Sequence, residues 1–223
     1  MKQYKNFLVT GCSYSCGPLQ SAAKDDYWSW SHFCLETLGC AHENYRNFAI
    51  PGGGNMAAMT NLIYFLQTNP DWTAENTLIG FNITGLDRRD VMVSAEHPEA
   101  KAMRAQYHIR KDLQIGWLID GMLDWRTTQP VQSCLAVLQG LTYLDHCGFD
   151  YFFMLLNQPV YDVAPAWFQQ VLDQHRPRWL QFSEGGMYER VRAAGAVDST
   201  LHPTRTGHGL LAQDVLQYLE SKT

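Results

Sequence analysis

Asn6-Phe7-Leu8-Val9-Thr10-Gly11-Cys12-Ser13-Tyr14-Ser15 is the stretch from which the fold of this chain is read. Asn6–Thr10 has the length of a strand. It shows no alternation of polar and apolar residues, as expected of a strand covered on both faces. Gly11 ends it, and a serine follows two residues later. A serine at a tight strand-to-helix turn holds its hydroxyl outside the sheet, and its own N–H can help to bind an oxyanion. The plain alternative is an ordinary N-cap serine.

Outward from this stretch the sequence alternates between strand and helix signals. Trp28, His32, Leu35 and Leu38 recur at steps of three and four, which predicts a helix over Asp26–Leu38 that stops at Gly39. A short strand follows at Tyr45–Ala49 and breaks at Pro51-Gly52-Gly53-Gly54. A second helix is expected over Asn55–Gln67, capped by Asn55 itself. Asn76–Ile83 reads as a buried strand. Residues 85–128 lose clean periodicity and read as an irregular segment with helical pieces, a candidate cap over the site. A helix over Pro130–Cys147, the strand Tyr151–Leu156, a helix over Ala166–Gln174, a weak strand at Trp179–Phe182 and a terminal helix over Thr206–Leu219 complete the series. Apolar strands alternating with helices imply a parallel sheet covered on both faces. The expectation is a three-layer α/β, flavodoxin-like fold with a central parallel sheet of about five strands, in one domain of 223 residues. In such sheets ligands bind beyond the carboxyl ends of the strands.

Bulk properties narrow the function. A net charge of -5 gives no basic footprint for phosphates, which argues against nucleic acid and for a small-molecule partner. No apolar run approaches the roughly 20 residues of a membrane span, and the N-terminus has no signal-like apolar region, so a cytoplasmic location is expected. Cys12, Cys16, Cys34, Cys40, Cys134 and Cys147 are then expected as reduced thiols. They lack metal-ligand spacing, so neither a metal nor another cofactor is expected. The oligomeric state is not encoded in any of these features.

The second chemical signal lies near the other end, in Asp198-Ser199-Thr200-Leu201-His202-Pro203. A loop histidine just ahead of a core helix is rigidly held, and a carboxylate a few residues upstream can fix its tautomer. A surface histidine is the alternative.

Together these pieces resemble the SGNH (GDSL-like) hydrolase family in four blocks. Gly11-Cys12-Ser13-Tyr14 is similar to the family's Gly-Asp-Ser-Leu block, with cysteine in place of aspartate as in a subset of its members. Asn47-Phe48-Ala49-Ile50-Pro51-Gly52 resembles the second block, Gly80-Phe81-Asn82 the third, and His202-Pro203 with Gly207-His208 the last. The resemblance implies that Ser13 is the nucleophile, His202 the general base and Asp198 the acid. It implies oxyanion donors at the N–H groups of Ser13 and Gly52 and at the side chain of Asn82, with Thr84 as the alternative donor.

Two departures bear on these roles. The family has Asp-x-x-His, whereas Asp198 stands one residue further from His202; either the loop absorbs the extra residue or a backbone carbonyl orients the ring instead. Asn82 is followed by Ile83 rather than aspartate, which brings in Thr84, two residues on and on the same side of an extended strand. Arg88 could reach an anionic group on a substrate, or else pair with Asp87 or Asp90. Trp117 and Trp125 could line a pocket or serve as packing anchors. Asn55 could face the site or only cap its helix, and His208 reads as structural.

The reading that follows is a serine hydrolase of carboxylic esters with small or medium acyl groups, acetylated sugars among them. An acyltransferase using the same acyl-enzyme and a non-catalytic binding protein of the same fold are the alternatives.

Overall fold

The computed structural model describes residues 2–16, 28–94, 115–120 and 129–222, with the backbone alone for 89–94, 115–120 and 129. Strand β1 (Asn6–Thr10) is buried along its whole length, as its unbroken apolar pattern requires. It pairs in parallel with β2 (Tyr45–Asn47) on one side and β3 (Thr77–Ile83) on the other. Strand β6 (Asp150–Leu155) adds in parallel to β3, giving the order β2-β1-β3-β6. The chain leaves β1 for one neighbour and later returns to the other, so the strand order reverses beside β1. That is where a doubly wound sheet opens a crevice.

Alternation along the strands sends side chains to two helical layers. On one face Phe7 and Phe152 meet the indole of Trp30 edge-on, at ring distances of 6.2 and 5.9 Å. Trp30 opens helix α2 (Trp30–Leu38), which packs against the terminal helix α8 (Arg205–Glu220). On the other face the hydroxyl of Thr10 donates to the carbonyl of Ala58 in helix α3 (Asn55–Thr68), which packs on α4 (Gln129–Cys147). Those two helices approach closely at Gly140, where a Cβ would stand 2.4 Å from the sulfur of Met59. The chain is thus an α/β protein with a parallel sheet between helical layers.

Ser29 caps α2 by accepting from the N–H of His32, and Gly39 ends it at φ 67. Asn55, expected as a cap, is not one. Gly54 occupies the cap position, and the Asn55 amide crosses to the residues after β3. The sheet has four strands rather than about five. At the fifth position Trp179 makes one parallel bridge to Phe153 and Leu180 N–H donates to the Phe153 carbonyl at 2.8 Å. A 3-10 turn at Arg176–Arg178 delivers the chain there and a second turn at Phe182–Gly185 takes it away, so the pairing does not extend.

The middle segment differs from its expected helical pieces. Arg89–Ser94 (β4) and Ile115–Asp120 (β5) form a separate antiparallel pair, registered from Arg89 opposite Asp120 to Ser94 opposite Ile115. Their β-branched and aromatic residues suit strands. Trp117 sits in β5 opposite Met92, and Trp125 lies outside the described residues. None of the six cysteines forms a disulfide, and among the described residues no helix is long and apolar enough to cross a membrane. Three short helices complete the described chain: α5 (Gln158–Asp162), α6 (Ala166–Gln174) and α7 (Met187–Ala193).

His208, in the first turn of α8, is 1% exposed and its Nδ1 accepts from the N–H of Trp30 at 3.1 Å. Burial, with a smaller contribution from His202, lowers its pKa from 6.5 to about 4. The folded state therefore holds His208 neutral, while the unfolded state takes up a proton below its ordinary pKa. Stability is full above about pH 6.5 and falls as the pH drops towards 4, by about 3 kcal/mol for this group. His208→Asn keeps an acceptor in the place of Nδ1 and does not titrate. Urea unfolding of the two proteins at pH 7 and pH 5 should show the variant losing less stability on acidification; equal losses would refute this assignment.

Candidate active site

Ser13 opens a single helical turn, α1 (Ser13–Cys16), directly beyond the carboxyl end of β1. Its Oγ lies 3.0 Å from Nε2 of His202, 189 residues away in sequence. The N-cap alternative is not what this hydroxyl does. The Cys12 carbonyl accepts from the N–H groups of Ser15 and Cys16, which puts Cys12 ahead of the turn.

The imidazole is fixed from its other side. Nδ1 of His202 lies 3.1 Å from the carbonyl oxygen of Thr200 and 3.0 Å from its hydroxyl. A carbonyl only accepts, so Nδ1 carries the proton of the neutral ring and Nε2 offers its lone pair to the serine hydroxyl. That is the tautomer a general base needs. Asp198 does not touch the ring. Its Oδ1 accepts from the N–H of Thr200 at 2.8 Å, the Thr200 hydroxyl at 2.6 Å and the N–H of His202 at 3.0 Å. These bonds, the Thr200 hydroxyl foremost, hold the carboxyl below its usual range. The extra residue of Asp-x-x-x-His is taken up by Leu201, whose φ of 64 turns the loop and leaves the carboxylate against the backbone. Tyr14 steadies this turn by donating its hydroxyl to the Leu201 carbonyl at 2.6 Å, so the residue after the serine grips the residue before the histidine. Burial pushes the Tyr14 phenol up, which keeps it a donor.

Asn82 is wholly buried beneath the serine turn. Its Oδ1 accepts from the N–H of Cys12 at 3.1 Å and from the Ser15 hydroxyl at 2.7 Å, and its Nδ2 donates to the Cys12 sulfur at 3.2 Å. Trp30 Nε1 donates to the same Ser15 hydroxyl. The strand register explains the placement: Thr10 faces Phe81, so the next residue of β3 comes up under Gly11. A Cβ on Gly11 would lie 1.9 Å from Asn82 Oδ1, and its φ of 138 is one that side chains disfavour. Gly11→Ala is therefore expected to break the Asn82 bonds and cost several kcal/mol. Chemical denaturation measures that loss, and a variant as stable as the wild type would show the turn to be less constrained.

Thr84 follows β3 on the same side as Asn82, one step further out. Asn55 clamps its backbone, accepting from its N–H at 2.9 Å and donating to its carbonyl at 3.1 Å, while also donating to Ser133. The Thr84 hydroxyl is buried with no hydrogen-bond partner among the described residues. Across the crevice, the loop after β2 is stitched to the serine turn by Phe48 N–H to the Val9 carbonyl and Ile50 N–H to the Gly11 carbonyl. Gly52, at φ 72, sits exposed at its tip, and Arg88 is spent on this loop, donating to the Gly53 carbonyl at 3.2 Å. The N–H groups of Ser13 and Gly52 donate to no other described residue.

The structure therefore brings Ser13 and His202 into contact, with the loop of Gly52 and the end of β3 at Asn82 and Thr84 on the same rim of the sheet. Asn55 clamps the backbone of Thr84, and Arg88 braces the Gly53 carbonyl. Tyr14 and Thr200 were not legible as site residues, because only the loop geometry gives their hydroxyls a role. Among the described residues no group of three or more His, Cys, Asp or Glu side chains is gathered to hold a metal ion.

No protein-family model matches the sequence, and no curated protein does. Solved structures do resemble the chain in fold. A psychrotrophic esterase, EstA, from Pseudoalteromonas sp., in a form inhibited by monoethylphosphonate, superposes with a TM-score of 0.55 at 9% identity, covering 97% of both chains. A member of the lipolytic G-D-S-L family from Veillonella parvula gives 0.52 at 12% identity over 95% of this chain and 96% of that one. Protein YXIM of Bacillus subtilis gives 0.53 at 13% identity over 99% of this chain, which spans only 57% of that longer protein. Identities this low speak to architecture alone, and on that footing the chain has the α/β fold of the SGNH, or GDSL-type, hydrolases.

Proposed function

We propose that this protein is an esterase that cleaves carboxylic esters of small or medium acyl groups through an acyl-enzyme on Ser13. One observation carries the reading: a serine hydroxyl 3.0 Å from the unprotonated nitrogen of an imidazole whose other nitrogen is held by Thr200. His202 takes the proton as Ser13 Oγ attacks the acyl carbon, then returns it to the departing alcohol. Water, deprotonated by the same imidazole, releases the acyl group. The tetrahedral oxyanion is bound by the N–H groups of Ser13 and Gly52. The side chains of Asn82 and Thr84 are both fully buried, and the Thr84 hydroxyl, unpartnered among the described residues, reaches the oxyanion only by turning out of its buried position.

A cavity of about 640 Å³ opens at the same rim, beyond the carboxyl ends of β3 and β6. Leu86, Pro130, Pro159, Val160 and Val163, with Asp87 and Asn157, line it. Ser13 and His202 are not among its described lining residues, so it is a neighbouring groove into which an acyl chain held at the serine would extend. The esterase and the lipolytic protein that share this fold support ester chemistry. Phosphonate inhibition of that esterase suggests the test. A fluorophosphonate probe should label Ser13 of the wild type and fail to label His202→Ala; a wild-type protein that takes up no label would leave the fold without this activity.

A further inference from the structure

We infer that Thr200 is a positioning residue through whose hydroxyl Asp198 acts on His202, a linked Asp–Thr–His arrangement in place of direct contact between acid and base. The inference rests on the reading of His202 as the general base. The chain of contacts is continuous: 2.6 Å from Thr200 Oγ1 to Asp198 Oδ1, and 3.0 Å from the same Oγ1 to His202 Nδ1.

The direction of each bond follows from chemistry. An ionised carboxylate only accepts, so the single proton of the Thr200 hydroxyl goes to Asp198. The hydroxyl oxygen then has lone pairs alone to offer to Nδ1, which must be the donor. The carbonyl of the same threonine demands the same of Nδ1. One residue thus supplies both acceptors that define the tautomer. Bonds in series polarise one another, so a hydroxyl pulled towards a carboxylate is a better acceptor for the imidazolium that forms when Ser13 is deprotonated. The proton on Nδ1 stays on nitrogen throughout, and no proton passes to threonine or aspartate. Asp198 has a second function, bracing the loop by accepting from the N–H groups of Thr200 and His202.

The test separates these two functions. Thr200→Val removes the hydroxyl and keeps the backbone carbonyl, Thr200→Ser restores the hydroxyl, and Asp198→Asn keeps an acceptor oxygen for the loop but removes the charge. With a chromogenic acetate ester, T200V is expected to lower kcat by about tenfold to a hundredfold with KM little changed, and fluorophosphonate labelling to slow by a similar factor. T200S should recover most of both. D198N should cost a comparable factor in the wild-type background and little more in T200V, because the charge reaches the ring through the hydroxyl. A merely structural threonine predicts additive losses instead.

A folded T200V protein with wild-type rates, or a D198N effect of the same size in both backgrounds, would overturn the relay. If T200V does not fold, D198N decides the matter alone, and an unchanged kcat would refute it. A wild-type protein that neither hydrolyses the ester nor takes up label overturns the relay and the esterase reading together, whereas labelling with additive losses overturns the relay only.

Discussion

Ser13→Ala is expected to lower ester hydrolysis by about four orders of magnitude or more and to abolish covalent labelling by a fluorophosphonate. The size of the effect follows from what the hydroxyl does: without Oγ there is no acyl-enzyme, and only the oxyanion donors and bound substrate remain to assist water. The fold should not suffer. The Ser13 side chain has His202 as its partner, and the helical turn that begins there is held by the Cys12 carbonyl and by Asn82. Melting temperature should therefore stay close to that of the wild type while activity disappears. Steady-state rates on a chromogenic acetate ester, with a melting curve on the same preparation, check both halves. Wild-type turnover in the alanine variant would remove Ser13 from the chemistry altogether.

The parts of this protein that were readable from sequence are those set by local rules. The buried strand Asn6–Thr10, the helix stop at Gly39 and the helix at Ala166–Gln174 follow from apolar pattern and terminus chemistry, and all stand where the sequence puts them. The pairing of Ser13 with His202 comes from the family resemblance rather than from local pattern, and Oγ and Nε2 stand 3.0 Å apart. What was not legible depends on register and on loop torsions. Asn82 and Thr84 share one side of a strand, and the sequence alone leaves open which of them lies under the serine turn. Only the pairing of Thr10 with Phe81 puts Asn82 under Gly11 and Thr84 beyond it, both wholly buried. Likewise nothing in Asp198-Ser199-Thr200-Leu201-His202 announces that Leu201 adopts a positive φ, yet that torsion sends the carboxylate to the backbone and leaves the ring to Thr200. The fifth strand failed for a related reason: an apolar run can pair only as far as the turns on either side allow.

Register also sets the prediction for Thr84. Among the described residues the buried Thr84 hydroxyl has no partner, a standing cost of roughly 1 to 3 kcal/mol that structures rarely tolerate without a use. The backbone of Thr84 is held on both sides by Asn55 where β3 ends, and the proposed use of its hydroxyl is in the transition state, when the side chain turns out of its buried position to meet an oxygen that becomes anionic only during the reaction. Thr84→Val keeps the branched shape and removes the hydroxyl. Loss of one oxyanion donor costs about 100- to 1000-fold in turnover, so kcat should fall by that factor with KM nearly unchanged. Stability should hold or rise, since an unsatisfied polar group has been taken out of the core. That combination is diagnostic, because damage to a structural residue lowers activity and stability together. If the valine variant turns over as fast as the wild type, the oxyanion is bound by the two backbone N–H groups without Thr84; if it loses stability and activity in step, the hydroxyl has a partner that matters for folding rather than for catalysis.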